Sequence, residues 1–215
     1  NSPDTLTEIV FKLYPNIYKK GSSRLMNISG EDVTEGVSIE KMSAAGVLLN
    51  ESNYRIDATN MTVRMKPLLP KSSVTFSISY SYTLNKKSHI RTGEIEAGAY
   101  FIAYFFPRIA VYDDIDGWNR NPYLGTHEFY NDFCDFTLAI TAPADYTVWA
   151  TGELENADKI FKDKYLKRIQ QAEANDGYVT VIDSTDIGME HTTKGDKTNT
   201  WKFNAKHVTD AVFAL

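Results

Sequence analysis

The sequence predicts a mainly β protein, an antiparallel sandwich or open sheet that carries one amphipathic helix. Three observations support this fold class. Apolar and polar residues alternate with a period of two over much of the 215-residue chain, as in half-buried strands. Clusters of Gly, Pro, Asn, Asp and Ser separate these segments, as turns do. One segment, 156–174, has helical periodicity instead.

Four alternating segments predict strands in the first part of the chain. Their apolar positions are Ile9, Phe11 and Leu13; Val47 and Leu49; Met61, Val63 and Met65; and Val74, Phe76, Ile78, Tyr80 and Tyr82. Turn residues at 20–23, 29–32, 50–53 and 67–73 separate them. This spacing suits an antiparallel arrangement.

The second part of the chain mixes strands with the predicted helix. Alternation predicts strands at 133–140, 146–150, 178–182 and 200–205. In the helix, one apolar stripe is formed by Phe161, Tyr165, Leu166, Ile169 and Ala172. We expect the opposite face to be solvated; it carries Asp163, Lys164, Lys167 and Gln171.

Charge and motif content exclude several function classes. The net charge is -5 and no block of basic residues occurs, so we expect no nucleic-acid partner. No phosphate-binding glycine motif is present. No apolar run is long enough to predict a transmembrane segment in this chain. His127-Glu128 is followed by Phe-Tyr-Asn, so the zinc-binding pattern His-Glu-x-x-His is incomplete.

The segment YFFPRIAVYDDIDGWN, at 104–119, is the densest cluster of aromatic and acidic residues. Its Asp-Asp-x-Asp-Gly run is ordinary turn chemistry, but ligand contact and carboxylate catalysis are the alternatives. We expect strand and core positions for Tyr104, Phe106, Ile109 and Val111, and a turn at 113–117. Aromatic platforms for a sugar would come from Tyr112, Trp118, Tyr123 and Tyr130.

A collinear set of segments resembles a known family. The set comprises Asn-Ser-Pro-Asp-Thr-Leu at 1–6, Leu-Tyr-Pro-Asn at 13–16, Tyr-Phe-Phe-Pro-Arg-Ile-Ala-Val-Tyr-Asp at 104–113, Phe-Tyr at 129–130, Asp-Phe-Thr-Leu-Ala-Ile-Thr-Ala-Pro at 135–143, Ala-Thr-Gly-Glu-Leu at 150–154, and Trp-Lys-Phe at 201–203 with His-Val-Thr-Asp at 207–210. In order and spacing it is similar to the N-terminal domain of the aminopeptidase N family of zinc metallopeptidases, in its bacterial branch.

The resemblance implies a saddle-shaped antiparallel domain over 1–215, with the helix at 156–174 as an insertion. In the family, a catalytic domain follows and holds zinc through His-Glu-x-x-His, next to a Gly-x-Met-Glu-Asn motif. Both motifs are absent from this sequence. We therefore expect a piece that ends before its catalytic domain, is inactive alone, holds no cofactor itself and belongs to an extracytoplasmic or membrane-associated enzyme.

The resemblance also proposes site residues. Some relatives carry Gln-x-Glu upstream of the Phe-Pro segment, where the glutamate binds the amino group of a peptide substrate. The comparable region, 92–99, lacks the Gln and leaves Glu94 and Glu96 as candidates. Tyr112, Asp113 and Trp118 are candidates for a rim that faces the catalytic domain or the substrate groove.

Two competing hypotheses remain open on the sequence. The first alternative is a free-standing β-sandwich that binds glycans through Trp118 and Tyr123 with nearby Asp residues. The second is a glycosidase with two catalytic carboxylates. The sequence favours the noncatalytic metallopeptidase domain, which packs on its own catalytic domain and helps to wall the groove for the peptide substrate.

Overall fold

The computed structural model describes residues 2–186, 192–195 and 197–215. Contacts along the chain divide it into two compact units, Asn1–Asp132 and Phe133–Leu215, named below the first and the second unit. The predicted fold class is confirmed, because the sheets are antiparallel and α2, described below, is the only helix of seven or more residues among the described residues. A single domain over 1–215 and its saddle shape stay predictions.

The described residues of the first unit form eleven strands. They are β1 (Leu6–Lys12), β2 (Ser38–Ala44), β3 (Val47–Leu49), β4 (Tyr54–Asp57), β5 (Asn60–Leu68), β6 (Phe76–Ser81), β7 (Gly93–Glu96), β8 (Ala99–Ile102), β9 (Arg108–Ile109), β10 (Tyr112–Asp113) and β11 (Gly117–Trp118). One sheet has the order β4-β5-β1-β9 and another the order β3-β2-β6. Strand β7 pairs with β8, and β10 pairs with β11.

The core of the first unit combines side chains from its two larger sheets. Phe11 and Met61 come from the sheet that contains β1, and Met42 and Phe76 from the sheet that contains β2. The rings of Phe11 and Phe76 meet edge to face at 5.2 Å between centroids. Since the apolar faces of both sheets share one core, the first unit is sandwich-like.

Strand β1 is buried on both faces near its end, which corrects the expectation of a half-buried strand. Val10 and Lys12 point away from the face that carries Phe11, yet both are buried. The segment after β11 covers this second face, because Asn119 and Asn121 accept hydrogen bonds from the Lys12 ammonium.

In the second unit, the described residues form five strands and two helices. They are β12 (Cys134–Pro143), β13 (Trp149–Ala150), β14 (Glu153–Leu154), α1 (Ala157–Ile160), α2 (Asp163–Glu173), β15 (Thr198–Val208) and β16 (Phe213–Ala214). The sheet order is β12-β15-β14, and β13 pairs with β16. Trp201 and Phe161 are fully buried at the centre of its core, with ring centroids 5.1 Å apart.

The predicted helix over 156–174 is divided into α1 and α2. At the break, the backbone N–H of Lys162 donates to Thr192 O, and that of Lys194 donates to Ile160 O. Phe161 is extended and bridges to Thr193, so an external segment replaces the helical hydrogen bonds. None of the helices among the described residues is long and apolar enough to cross a membrane.

The predicted strand at 178–182 is wrong. This segment has no strand pairing, and Tyr178 is fully exposed. Instead, Arg168 of α2 donates to Val181 O at 2.9 Å and to Asp186 Oδ2 at 2.6 Å. Lys164 also contacts Asp186, so the polar face of the helix holds this segment and is not simply solvated.

Candidate functional site

Tyr112, Asp113 and Trp118 lie together on the hairpin formed by β10 and β11. Tyr112 and Trp118 are opposite each other in the ladder, with ring centroids 5.1 Å apart. The Asp113 carboxylate accepts backbone hydrogen bonds from Asp116 at 2.8 Å and Ile115 at 3.0 Å. These bonds lower the pKa of Asp113 and make the carboxylate part of the turn. The predicted turn at 113–117 is confirmed.

Three contacts link this hairpin to its surroundings within the first unit. The Tyr112 hydroxyl donates to Asp4 Oδ2 at 2.8 Å. The Tyr130 hydroxyl donates to Asp113 Oδ2 at 3.3 Å. Trp118 packs against the apolar core described above. The hairpin is therefore anchored at its base, while Ile115 at its tip is 87% exposed.

Glu94 and Glu96 lie on a different hairpin, formed by β7 and β8. Glu94 Oε1 accepts from the Gly98 backbone at 3.2 Å and the Tyr100 hydroxyl at 3.5 Å, and its other oxygen lies 3.7 Å from Lys86 Nζ. Glu96 is exposed next to the turn. Glu94 is thus held by its own hairpin, and a role of either glutamate at a substrate amine stays a prediction.

A cavity of about 430 Å³ lies within the first unit, beside the loop that follows β11. Its lining includes Lys12, Tyr14, Asn119, Asn121, Tyr123 and Tyr130. Tyr130 belongs both to this lining and to the hydrogen bond with Asp113, so the cavity borders the hairpin of the predicted site.

Lys12 forms the floor of this cavity and is 3% exposed. Its ammonium donates to Asn60 Oδ1 at 2.9 Å, Asn119 Oδ1 at 2.9 Å and Asn121 O at 2.8 Å. Burial, together with the positive charge of Arg120, lowers the pKa of Lys12 to about 8. The three oxygens favour the ammonium form, but none of them carries a charge to balance it.

Aromatic side chains form the wall of the cavity. The Tyr14 ring meets that of Phe129 at 4.4 Å and that of Tyr123 at 5.3 Å between centroids. Arg91 lies over the ring of Phe129, 5.2 Å from its centroid, and pairs with Glu128 at 2.6 Å. This hydrogen bond lowers the pKa of Glu128, so the wall ends in an ion pair at the surface.

Several expectations for residues in and near the segment at 104–119 need correction. Tyr123 is 6% exposed because its ring packs against Tyr14 and Phe129, so it offers no free face to a sugar. Ile109 is 55% exposed and does not belong to the core. Tyr104 and Val111 are buried, as predicted, but both lie outside the strands, as Phe106 does, so the expected strand positions are wrong for these three residues.

Comparison with known proteins identifies a similar fold. No family model matches the chain, and no curated protein matches it. A crystal structure of a mutant M1 zinc metallopeptidase from Deinococcus radiodurans is similar to this chain, with 15% sequence identity and a TM-score of 0.53. The match covers 100% of this chain and 35% of the metallopeptidase chain. The structure of a two-domain M1 zinc metallopeptidase mutant bound to L-tryptophan gives a TM-score of 0.52, and the match covers 36% of that metallopeptidase chain.

The third structure is the Deinococcus radiodurans enzyme bound to a Tyr-Ser-Ala substrate, with a TM-score of 0.50 and 15% identity. The chain thus spans about a third of the length of the metallopeptidases whose fold it shares. At this identity the likeness shows the fold alone. Within the described ranges, no group of three or more His, Cys, Asp or Glu side chains is placed so that it could hold a metal ion.

Sequence reasoning missed the cavity and its floor. Lys12 interrupts an otherwise apolar run from Ile9 to Leu13, and this signal was present in the sequence. Asn119 and Asn121 belong to a polar Asn-Arg-Asn-Pro segment that is indistinguishable from a solvated loop by composition. Only the fold shows that these residues converge on one ammonium group.

Proposed function

We propose that this chain is a noncatalytic β domain of a zinc-dependent, aminopeptidase-like metallopeptidase. In this proposal it packs on a catalytic domain of the same protein and helps to wall the groove for the peptide substrate. The observation that carries the proposal is the likeness of fold over the whole chain to M1 zinc metallopeptidases, of which it covers about a third. The collinear segments in the sequence agree with this family.

The chemistry of the chain fits a supporting role. The sequence contains neither His-Glu-x-x-His nor Gly-x-Met-Glu-Asn. The reacting groups and the zinc would therefore belong to the remaining part of the enzyme, as would its extracytoplasmic or membrane-associated location. The first unit would supply surface and shape to the groove.

The hairpin formed by β10 and β11 is the proposed rim of that groove. Its two aromatic rings meet edge to face, and its carboxylate is held by backbone N–H groups, so the surface is preformed. A preformed rim orders few side chains on docking and thus loses little conformational entropy. Glu94 or Glu96 is the proposed contact for the amino group of the peptide.

The coding sequence after Leu215 provides the first test. We expect it to continue into a segment that encodes His-Glu-x-x-His. The full-length protein should then release N-terminal residues from peptides in a zinc-dependent manner, while residues 1–215 alone should not. A stop codon directly after Leu215, or peptidase activity of residues 1–215 free of contaminants, would contradict the proposal.

The rim itself is tested in the full-length enzyme. We expect Trp118→Ala to raise KM for a peptide substrate, or to weaken the packing of this β domain on the catalytic domain, because the Trp118 ring supports Tyr112. Trp149→Ala, which removes a half-exposed tryptophan from the second unit, is the matched control. Equal kinetics and equal domain packing in Trp118→Ala and wild type would remove the hairpin from the rim.

A further inference from the structure

Lys12 is a buried charge for which the proposed function provides no role. It is 3% exposed, and all three ammonium hydrogens are donated to uncharged oxygens of Asn60, Asn119 and Asn121. A buried ammonium group is ordinarily paired with a carboxylate, because burying an unbalanced charge is costly. The floor of the cavity therefore carries a positive charge that these partners do not neutralise.

The nearest charged neighbours balance one another and leave Lys12 unbalanced. Arg120 pairs with Glu8. Glu128, which lines the cavity, pairs with Arg91 at 2.6 Å. Neither pair supplies a net negative charge, and Arg120 still repels the Lys12 ammonium, so these neighbours do not balance the charge of Lys12.

One polar donor and several aromatic rings accompany this charge. Asn60 uses both ends of its amide, since its Nδ2 group donates to Arg120 O at 2.6 Å. Asn119 accepts from Lys12 through Oδ1, which leaves its NH₂ group to donate, and its side chain lines the cavity. The apolar part of the lining comes from Tyr14 and Phe129.

We propose that this cavity binds a small monocarboxylate with an aromatic or apolar body. The carboxylate faces Lys12 and the Asn119 amide, and the body of the ligand lies against Tyr14 and Phe129. A monoanion matches the single unbalanced charge, whereas a dianion would bring one negative charge too many into the cavity. This binding site does not depend on the proposed role in a metallopeptidase.

Benzoate is a direct probe, and benzamide is its neutral isostere. Calorimetric titration of residues 1–215 should give saturable binding of benzoate with a Kd of about 1 mM or tighter. Benzamide should bind at least about tenfold more weakly, because it lacks the charge that Lys12 attracts. Amide signals of Asn119 and Asn121 should shift in NMR spectra during the benzoate titration.

Asn119→Asp tests the charge argument without removing Lys12. The new carboxylate keeps an acceptor for Lys12 and supplies the missing negative charge, so the variant should fold and lose benzoate binding by at least about tenfold. Lys12→Met is less suited, because it leaves three buried oxygens without a donor. Asn175→Asp is the matched control: it adds the same charge at an exposed Asx turn to Gly177 and should bind as wild type does.

Four outcomes would overturn this assignment. They are equal affinities for benzoate and benzamide, affinity for inorganic phosphate equal to that for benzoate, unchanged benzoate binding by Asn119→Asp, and no saturable benzoate binding at all. Circular dichroism of both variants shows whether folding is retained. The site is supported if Asn119→Asp is folded and loses binding while Asn175→Asp retains it.

Discussion

Lys12 in the first unit and Asp186 in the second are equally buried, at 3% exposure, but are stabilised in opposite ways. Lys12 contacts only neutral oxygens through its ammonium, and burial lowers its pKa to about 8. Asp186 accepts from Lys164 and Arg168, and these contacts hold the pKa of its carboxyl far below the ordinary value. The charge of Lys12 is not balanced by its partners and lies beside a cavity, whereas the charge of Asp186 is balanced by ion pairs.

This difference separates a structural charge from a binding charge. The partners of Asp186 come from α2 and from the backbone of Asp183, so it fixes the segment after the helix against that helix. Lys12 uses only dipoles, which orient the ammonium but leave its charge available to a ligand. A buried ionic group therefore indicates a site only when its charge remains unbalanced and a cavity adjoins it.

We expect the largest loss of stability from a change in the core of the second unit. If the ion pairs of Asp186 only position a segment, most of the folding free energy must come from the core around Trp201. We expect Trp201→Ala to lower the free energy of unfolding by about 3 to 5 kcal/mol, because the whole indole is buried. Urea denaturation measures this loss. Trp149→Ala, at a half-exposed position, should lose far less, and similar losses in the two variants would contradict the assigned core.

Lys12 should give the first unit an unusual pH dependence. Between about pH 8 and pH 9.5 the folded chain releases the Lys12 proton, while an unfolded lysine, with a pKa of about 10.4, keeps it. The unfolded state then binds more protons, so the free energy of unfolding should rise with pH, by about 2 kcal/mol over this window. Urea denaturation at several pH values measures the rise.

The control for this window is Lys12→Met, in which the rise should vanish, whereas Lys66→Met at an exposed position should retain it. The trend must reverse above about pH 10, because burial raises the pKa of Tyr80 to about 12 and that of Tyr104 still further. Unfolded tyrosines lose their protons first there, which favours the unfolded state. A wild-type stability that falls between pH 8 and 9.5 would show that Lys12 is balanced after all.

Asp186 should show the opposite linkage with a smaller effect. Its folded pKa is depressed, so its contribution is present at neutral pH and is lost as the pH falls below that of an unfolded aspartate, about 3.9. Asp186→Asn should be less stable than wild type at pH 7 and should lose less stability between about pH 5 and pH 3. Asp176→Asn, at an exposed position, is the control, and parallel acid curves for Asp186→Asn and wild type would contradict the ion-pair assignment.

The smallest expected effect concerns the proposed rim. Tyr112→Phe removes only the hydrogen bond to Asp4 and keeps the ring against Trp118. We expect thermal unfolding of residues 1–215 to be unchanged within error. A clear drop in the unfolding temperature would mean that this hairpin stabilises the fold, and would weaken its assignment as a docking rim.

The sequence predicts those strands in which the period of two is continuous. Alternation located β5 and β6 in the first unit and β12 and β15 in the second, because the apolar residues of each strand alternate with polar ones toward the core of its own unit. Strand β2 was missed. Its ladder shifts between Ile39 and Lys41, so the apolar residues Ile39 and Met42 are three positions apart and the alternation is broken.

The sequence predicted only those parts of the candidate site whose residues are close together along the chain. The turn at 113–117 is specified by residues that contact one another along the chain, and the sequence therefore predicted it. The cavity depends on Lys12 meeting Asn119 and Asn121, more than a hundred residues away. No local pattern encodes such a meeting, because it follows from how the loop after β11 covers β1.

The three tryptophans, finally, give this chain its own optical reporters. Trp118 belongs to the first unit, whereas the second contains Trp149, about half exposed, and fully buried Trp201. Replacing the latter two with phenylalanine would restrict intrinsic fluorescence to the first unit, and replacing Trp118 would restrict it to the second. Denaturation followed by these two signals would reveal whether the chain melts in one cooperative transition, as a single domain must, or in two.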